Sequence, residues 1–258
     1  MGCFAGSGGH NRIVPGANSQ FGIEHVEDRR FLDAVARYVK AAGWKYVNCS
    51  DEVGRTKTAV WSNAADNHLR VKDSDVDLQF HLNASPGGTG CEVWLHPSYG
   101  NRELAAKISK AMADAFGLKD RGIKFSTELG WINKTKTGLL PEICFIDNEV
   151  DMQKYRENFD KAAKAVAEVI VGKTIQSSEG VGITVNKFSK VVTYEFGTAL
   201  APEMLVMMDT LGYTSRIVSF GDKQGLVRFE TDYRQGNELD KATAWLDAKG
   251  LKYFYTKE

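Results

Sequence analysis

The sequence predicts an α/β fold, a largely parallel sheet flanked by helices, followed by a small α+β domain. Three observations carry this expectation. Up to about residue 173, segments with strand and helix periodicity alternate, the pattern of a layered domain with parallel strands. Around residues 172–182 the texture turns polar and loses its periodicity. Beyond that stretch, a strand–helix–glycine–strand unit occurs twice.

Within the first part, residues 31–43 read as a helix, because Phe31, Leu32, Val35, Tyr38 and Val39 recur at helical spacing and Gly43 closes it. Residues 44–49 form a short strand. Residues 77–82 form a clearer one, with Val76, Leu78 and Phe80 on one face and Gln79 and His81 on the other. A short strand at 92–95 precedes an alanine-rich helix at 103–116 that ends at Gly117. A strongly apolar strand follows at 139–146, then a long helix at 151–171. The run Gln176-Ser177-Ser178-Glu179-Gly180 reads as linker. The expected domains are therefore 1–174 and 183–258, joined by 175–182. In the second, strand 191–196, helix 202–211, Gly212 and strand 214–220 are followed by strand 226–230, helix 238–248, Gly250 and strand 251–255. Two such βαβ units in tandem follow a ferredoxin-like split plan.

Composition removes several function classes. The chain has 33 basic and 33 acidic residues, so it lacks the basic excess on which nucleic-acid binding or attraction to anionic lipid rests. No apolar run approaches the roughly 20 residues that span a bilayer, so membrane insertion is not expected. Residues 1–10 are glycine-rich and do not read as a secretory signal, which leads to the expectation of synthesis in a cytoplasm. Cys3, Cys49, Cys91 and Cys144 form no Cys-x-x-Cys pair and read as reduced, partly buried thiols.

Three polar residues stand out as candidates for chemistry. His10 lies at the end of the first strand, in Gly8-Gly9-His10-Asn11. Glu24 lies just ahead of the first helix, and His81 ends the strand Val76-Asp77-Leu78-Gln79-Phe80-His81. Ligand crevices of open α/β sheets lie beyond the carboxyl ends of the strands. Two histidines and a glutamate also form a catalytic zinc set that leaves a fourth position for water. Taken one at a time, each residue is better explained by an ordinary surface or hydrogen-bonding role. Glu142 interrupts the apolar run Leu139-Leu140-Pro141-Glu142-Ile143-Cys144-Phe145-Ile146. A carboxylate there is costly unless it meets a buried arginine or backbone amide, or is functional.

The segments Gly9-His10, Glu24 ahead of a helix, His81-Leu82-Asn83-Ala84 and Leu140-Pro141-Glu142-Ile143 occur in an order that resembles the zinc N-acetylmuramoyl-L-alanine amidases, a family of bacterial autolysins and phage endolysins. Gly87-Gly88-Thr89-Gly90-Cys91-Glu92-Val93, Arg121-Gly122-Ile123-Lys124 and Leu129-Gly130-Trp131-Ile132-Asn133 add to the resemblance, which covers roughly residues 1–172. It implies that His10, Glu24 and His81 bind Zn2+ and that Glu142 is the catalytic carboxylate. Glu27, one turn on, is the rival to Glu24. Two positions depart from the family pattern: the first strand holds Gly and Ser where aliphatic residues are usual, and Pro141 precedes the glutamate. Pro141 cannot donate to a ladder, so its strand should be irregular or leave that donor unused.

The implied activity is hydrolysis of the amide between the lactyl group of N-acetylmuramic acid and L-alanine in peptidoglycan, as in a phage endolysin of a Gram-positive host. Such an enzyme is made in the host cytoplasm and acts at the wall after release, with the second domain binding a wall polymer. A zinc carboxypeptidase acting on stem peptides and a non-catalytic wall-binding protein with a vestigial site are the competing readings. Homodimerisation through exposed strand edges is the alternative role for the second domain. Around the site, Asn83 is read as orienting substrate or fixing its loop, and His96 as lining the cleft. Trp131 and Lys134 are read as cleft wall, and His25 and His68 as exposed. The aromatics of the second domain, among them Tyr194, Phe196, Phe229, Tyr233, Tyr253, Phe254 and Tyr255, divide between core and glycan contact.

Overall fold

A computed structural model describes residues 2–175, 189–220, 225–234 and 236–257. The chain divides into two compact units, residues 1–175 and 176–258. The linker expected at 175–182 lies, apart from Ile175, outside the described residues. Ile175 itself is buried in the core of the first unit.

The first unit opens with β1 (Cys3–Gly8), a hairpin of β2 (Asn18–Ser19) and β3 (Gly22–Ile23), and α1 (Glu24–Ala41). It continues through β4 (Lys45–Asn48), α2 (Lys57–Arg70), β5 (Val76–Asn83), β6 (Cys91–Leu95) and α3 (Arg102–Phe116). It closes with β7 (Asp120–Phe125), α4 (Gly130–Thr135), β8 (Leu139–Phe145), α5 (Glu149–Glu157) and α6 (Phe159–Val171). The six-stranded sheet has the order β4-β1-β5-β8-β6-β7. Its first four strands are parallel, while β6 runs antiparallel to β8 and β7 follows β6. The sheet is thus largely parallel, and its two faces are covered differently. Phe31, Leu32, Val35 and Val39 of α1 pack with Ile108 and Met112 of α3 and Val166 and Ile170 of α6 against Leu78, Phe80 and Leu82. On the other face Ala64 and Ala65 of α2 and Trp131 and Ile132 of α4 form a smaller cluster around Leu140.

Where the structure departs from sequence expectation, the causes are local. Helix α1 starts at Glu24, not near Phe31, because its first buried positions are Glu24, Glu27 and Asp28 and therefore carry no apolar signal. The acidic first turn suits the positive end of the helix. Helix α2 was not legible because its buried positions are Val60, Ala64, Ala65 and His68, mostly small or polar; Thr56 caps it by accepting from the Ala59 amide. Strand β7 lies at the sheet edge with no buried residue, which leaves no alternation to read. The helix expected over 151–171 is broken at Asn158, with φ −115° and ψ 17°. The apolar pattern runs through this break, so periodicity could not reveal it. Pro141 pairs opposite Val93 without disturbing that register, and the irregularity on the β5 side falls past Glu142. The two glycines and the serine of β1 are all buried, and a Cβ on Gly6 would sit 2.6 Å from Leu32 Cδ1. The four cysteines are free and buried.

The second unit contains β9 (Ser189–Thr193), β10 (Phe196–Gly197), α7 (Ala201–Leu211), β11 (Ser215–Ser219), β12 (Leu226–Thr231), α8 (Gly236–Ala248) and β13 (Tyr253–Lys257). Strand β12 lies between β11 and β9, and β13 pairs with the other edge of β9. All these pairings are antiparallel, the strand order of a ferredoxin-like split βαβ sheet. Gly212 takes φ 69° to end α7, a left-handed conformation that glycine adopts without strain. Phe196, Phe229 and Tyr213 are buried in the core with Met204, Met208 and Leu246, so these aromatics are packing residues. Tyr255, 49% exposed, faces solvent. Among the described residues, no helix is long and apolar enough to cross a membrane.

Candidate metal centre

Strand alternation places Asp77, Gln79 and His81 on the face of β5 turned away from the larger core. His81 stands beside Glu142 in the parallel pairing of β5 with β8, and Glu142 faces Glu92 in the antiparallel pairing of β8 with β6. His10 follows the end of β1. The preceding Gly9 amide donates to Phe80 O at 2.8 Å and to Asp28 Oδ2 at 3.0 Å. Glu24 opens α1, and both its oxygens are tied down, Oε2 by the Ala17 amide at 2.7 Å and Oε1 by the Leu82 amide at 3.2 Å. One donor atom from each of His10, Glu24 and His81 lies within 4.8 Å of the others. His81 Nδ1 is 2.9 Å from Glu24 Oε1, and His10 Nε2 is 3.3 Å from Glu24 Oε2. Two glycines make this convergence possible. A Cβ on Gly9 would lie 1.9 Å from His81 Cε1, and one on Gly16 would lie 2.3 Å from Glu24 Oε2.

Electrostatics mark the cluster as an unbalanced one. Burial, with His81 adding to it, lowers His10 to about 4 against the pull of Glu24, so its imidazole is neutral and offers a lone pair. Burial also opposes charge on His81, but the Glu24 hydrogen bond and the Glu24, Glu142 and Asp28 carboxyls push it to about 9. Burial would raise Glu24, yet His81, His10 and the Ala17 amide hold its carboxyl below the ordinary range. Burial pushes Glu142 up to about 8, opposed by His81 and reinforced by Glu24 and Glu92. Burial raises Asp28 well above the usual carboxylate range, against the charge of Arg29. Glu142 Oε2, Asp28 Oδ1 and His10 Nδ1 are buried without a hydrogen-bond partner. Crowded carboxyls, orphaned polar atoms and a two-histidine, one-carboxylate donor set are what a dication fits.

Other expected site residues are placed differently. Glu27 turns away from the cluster to pair with Arg30 Nη1 at 2.9 Å. Asn83 donates to Glu92 Oε1 at 3.0 Å and accepts from the Ala84 amide at 2.8 Å, which fastens the loop after β5. His96 was expected to line the cleft. It lies instead past the carboxyl end of β6, which is the amino end of β8 because the two strands are antiparallel; Leu95 pairs with Leu139 there. Its Nδ1 accepts from the Ser98 amide at 3.1 Å, and its ring packs on Tyr99. Trp131 is 2% exposed and packs edge-on against His68, so it is core and not cleft wall. Lys134 ties α4 to α2 through Ser62 Oγ at 2.9 Å and Asp66 at 2.7 Å. His68 is buried and His25 half-buried, so neither is the exposed residue expected.

Sequence reasoning missed two braces. Asp28 holds Gly9, while Arg29 donates to the backbone oxygens of His10 and Asp51. The signal for Asp28 is its place four residues after Glu24, on the same helix face. Glu92, 2% exposed, accepts from Asn83, Trp94 Nε1 at 3.1 Å and Arg121 Nε at 2.7 Å. Arg121 is thus committed to Glu92.

Fold and site together define a candidate three-donor metal centre at the carboxyl edge of an open α/β sheet. Comparison with known proteins gives the family. The sequence profile of N-acetylmuramoyl-L-alanine amidase matches residues 6–171, and that of the PlyG cell wall binding domain matches residues 210–255. The chain belongs to the N-acetylmuramoyl-L-alanine amidase family. It is 71% identical over 99 residues to N-acetylmuramoyl-L-alanine amidase CwlA of a Bacillus species, covering 38% of this chain and 39% of that protein. It is 30% identical over 183 residues to an uncharacterized protein of Clostridium perfringens, covering 66% of this chain and 52% of that one. The chain thus spans about two fifths to one half of the length of these relatives. Among solved structures, the catalytic domain of the CD27L endolysin targeting Clostridia difficile shares the fold at 24% identity and a TM-score of 0.59, covering 68% of this chain and 100% of that domain.

Proposed function

We propose that this protein hydrolyses the amide between the lactyl group of N-acetylmuramic acid and L-alanine in peptidoglycan, with His10, Glu24 and His81 holding Zn2+ and Glu142 as the catalytic carboxylate. The observation that carries this reading is the convergence of the three donors directly beside Glu142. Zinc, when bound there, supplies Lewis acidity: it makes a water nucleophilic near neutral pH and polarises a carbonyl.

The chain's own residues supply the rest. Glu142 takes the proton of the attacking water as it adds to the amide carbon. The same carboxyl then gives that proton to the departing L-alanine nitrogen as the C–N bond breaks. A group held at about 8 by burial sits near the working pH and can serve both steps. The products are a glycan bearing a free lactyl carboxylate and a stem peptide with a free L-alanine amine. The second unit, whose sequence resembles the PlyG cell wall binding domain, holds the enzyme on a wall polymer of a Gram-positive host. A bacteriophage endolysin that causes lysis after release from its host cell is the biological setting this combination fits.

The test is digestion of purified Gram-positive wall by the zinc-loaded protein, with mass analysis of the fragments. Stem peptides beginning at free L-alanine are the expected product. Stem peptides shortened at their carboxyl ends, with the lactyl amide intact, would replace the amidase reading with a carboxypeptidase.

A further inference from the structure

Beneath the metal cluster runs a buried chain of hydrogen bonds that ends outside it. His81 Nδ1 lies on the Glu24 side at 2.9 Å, while its Nε2 is 3.2 Å from Gln79 Oε1. Gln79 Nε2 donates to Ser7 Oγ at 3.3 Å. Ser7 Oγ is 2.9 Å from His68 Nε2, and His68 Nδ1 is 2.7 Å from Asp77 Oδ1. Ser7 is 0%, Gln79 1% and His68 3% exposed, so no solvent competes for these groups. Three elements contribute: β5 carries Asp77, Gln79 and His81 at alternate positions, Ser7 lies beside Gln79 on β1, and α2 lays His68 across them.

The chemistry of the groups gives this chain a direction. The Asp77 carboxylate accepts only, so His68 carries its proton on Nδ1. In a neutral imidazole His68 Nε2 then accepts, and the Ser7 hydroxyl donates to it. Ser7 Oγ is left to accept from the Gln79 amide nitrogen, which turns the Gln79 oxygen toward His81. That oxygen accepts from His81 Nε2–H, which leaves Nδ1, the nitrogen facing Glu24, as the one that gives up its proton to present a lone pair to a metal. In this arrangement every donor in the chain meets an acceptor.

We infer that Asp77, His68, Ser7 and Gln79 form a tautomer-setting relay that orients His81 and presents its Nδ1 to the metal. They are positioning residues: none of them belongs to the donor cluster. The inference rests on the zinc reading above and adds to it which nitrogen binds and what holds it. Partners of a ligating histidine generally contribute tenfold or more to metal affinity, because they fix its ring and raise its basicity.

The experiment uses the zinc-loaded full chain with 15N-labelled histidine. Ring-nitrogen shifts in the wild type should report His81 protonated on Nε2 and metal-bound through Nδ1, and His68 protonated on Nδ1. Chelator competition should show zinc held about 10–100-fold more weakly by Gln79→Met, with a smaller loss in the same direction for Ser7→Ala, which is two links away. His81 bound through Nε2, His68 protonated on Nε2, or zinc affinities of both variants within twofold of wild type would each overturn the relay while leaving the zinc reading in place. A wild-type chain that takes up no zinc would overturn the zinc reading itself. The tautomer readout needs no variant, so a substitution that fails to fold does not block the test.

Discussion

Glu142 is the side chain on which the chemistry turns. His81 is the cation that acts against its burial, and His81 is itself bonded to Glu24. Glu142→Gln keeps the shape and removes the base. Bound zinc should stay near one per chain while amide cleavage falls by about 10²–10⁴-fold. Elemental analysis and fragment release measure the two quantities separately, and near wild-type cleavage by this variant would sink the role assigned to Glu142. The candidate ligands were visible in the sequence only through the order of their motifs. Neither a lone histidine after a strand nor a glutamate before a helix announces a partner 57 residues away, as Glu24 and His81 are.

The elements that cover the site-bearing face of the sheet are α2 and α4, and their contact is mostly apolar. Trp131 fills it, so Trp131→Ala should cost about 3–5 kcal/mol in the unfolding of the first unit, by loss of burial and the cavity left behind. Lys134 makes a half-exposed ion pair with Asp66, and such pairs contribute at most about 1 kcal/mol. Lys134→Ala should therefore leave stability within that range and leave kcat and KM on wall fragments unchanged. A raised KM for Lys134→Ala would return that residue to the cleft wall. In the second unit, Glu230 of β12 binds β9 and β11 into one sheet through Lys190 at 2.7 Å and Arg216 at 2.6 Å, with Arg228 at 2.9 Å. Burial would raise its pKa, but these cations lower it from 4.5 to about 2. Its stabilisation is fully present above the ordinary value and is lost as pH falls toward the folded one, because the unfolded chain takes up the proton first. Glu230→Gln should destabilise this unit by about 2–3 kcal/mol at pH 7. The difference from wild type should shrink between pH 4.5 and about 2, and a pH-independent difference in urea midpoints would contradict the assignment.

Each unit of the molecule has its own buried core. All the proposed zinc ligands and Glu142 belong to the first. Residues 1–175 should fold alone and cleave soluble wall fragments, yet act poorly on intact cells for want of a second attachment. A fluorescent fusion of residues 180–258 should decorate Gram-positive cells without lysing them. Label that washes off every wall, together with full lytic activity from the first unit alone, would assign the second unit another role, with self-association through strand edges the next to test.

Local pattern carried much of the architecture. The alternation in β5, the apolar run of β8 and the glycines that close α3 and α7 are written in neighbouring residues, and the predicted elements follow from them. The tandem βαβ units of the second domain were legible for the same reason. Tertiary structure decided everything that depends on which elements meet. It set β6 antiparallel to β8 and so moved His96 to the far end of the strand, and it folded α2 over the sheet and so buried His68 and Trp131. It also turned a modest run of acidic residues into the first two turns of α1, with Asp28 beneath Gly9. Periodicity reports whether a residue is buried only when the buried residue is apolar. A site made of buried histidines, carboxyls and amides carries the opposite signal, and only the packing that surrounds those groups shows that they belong together.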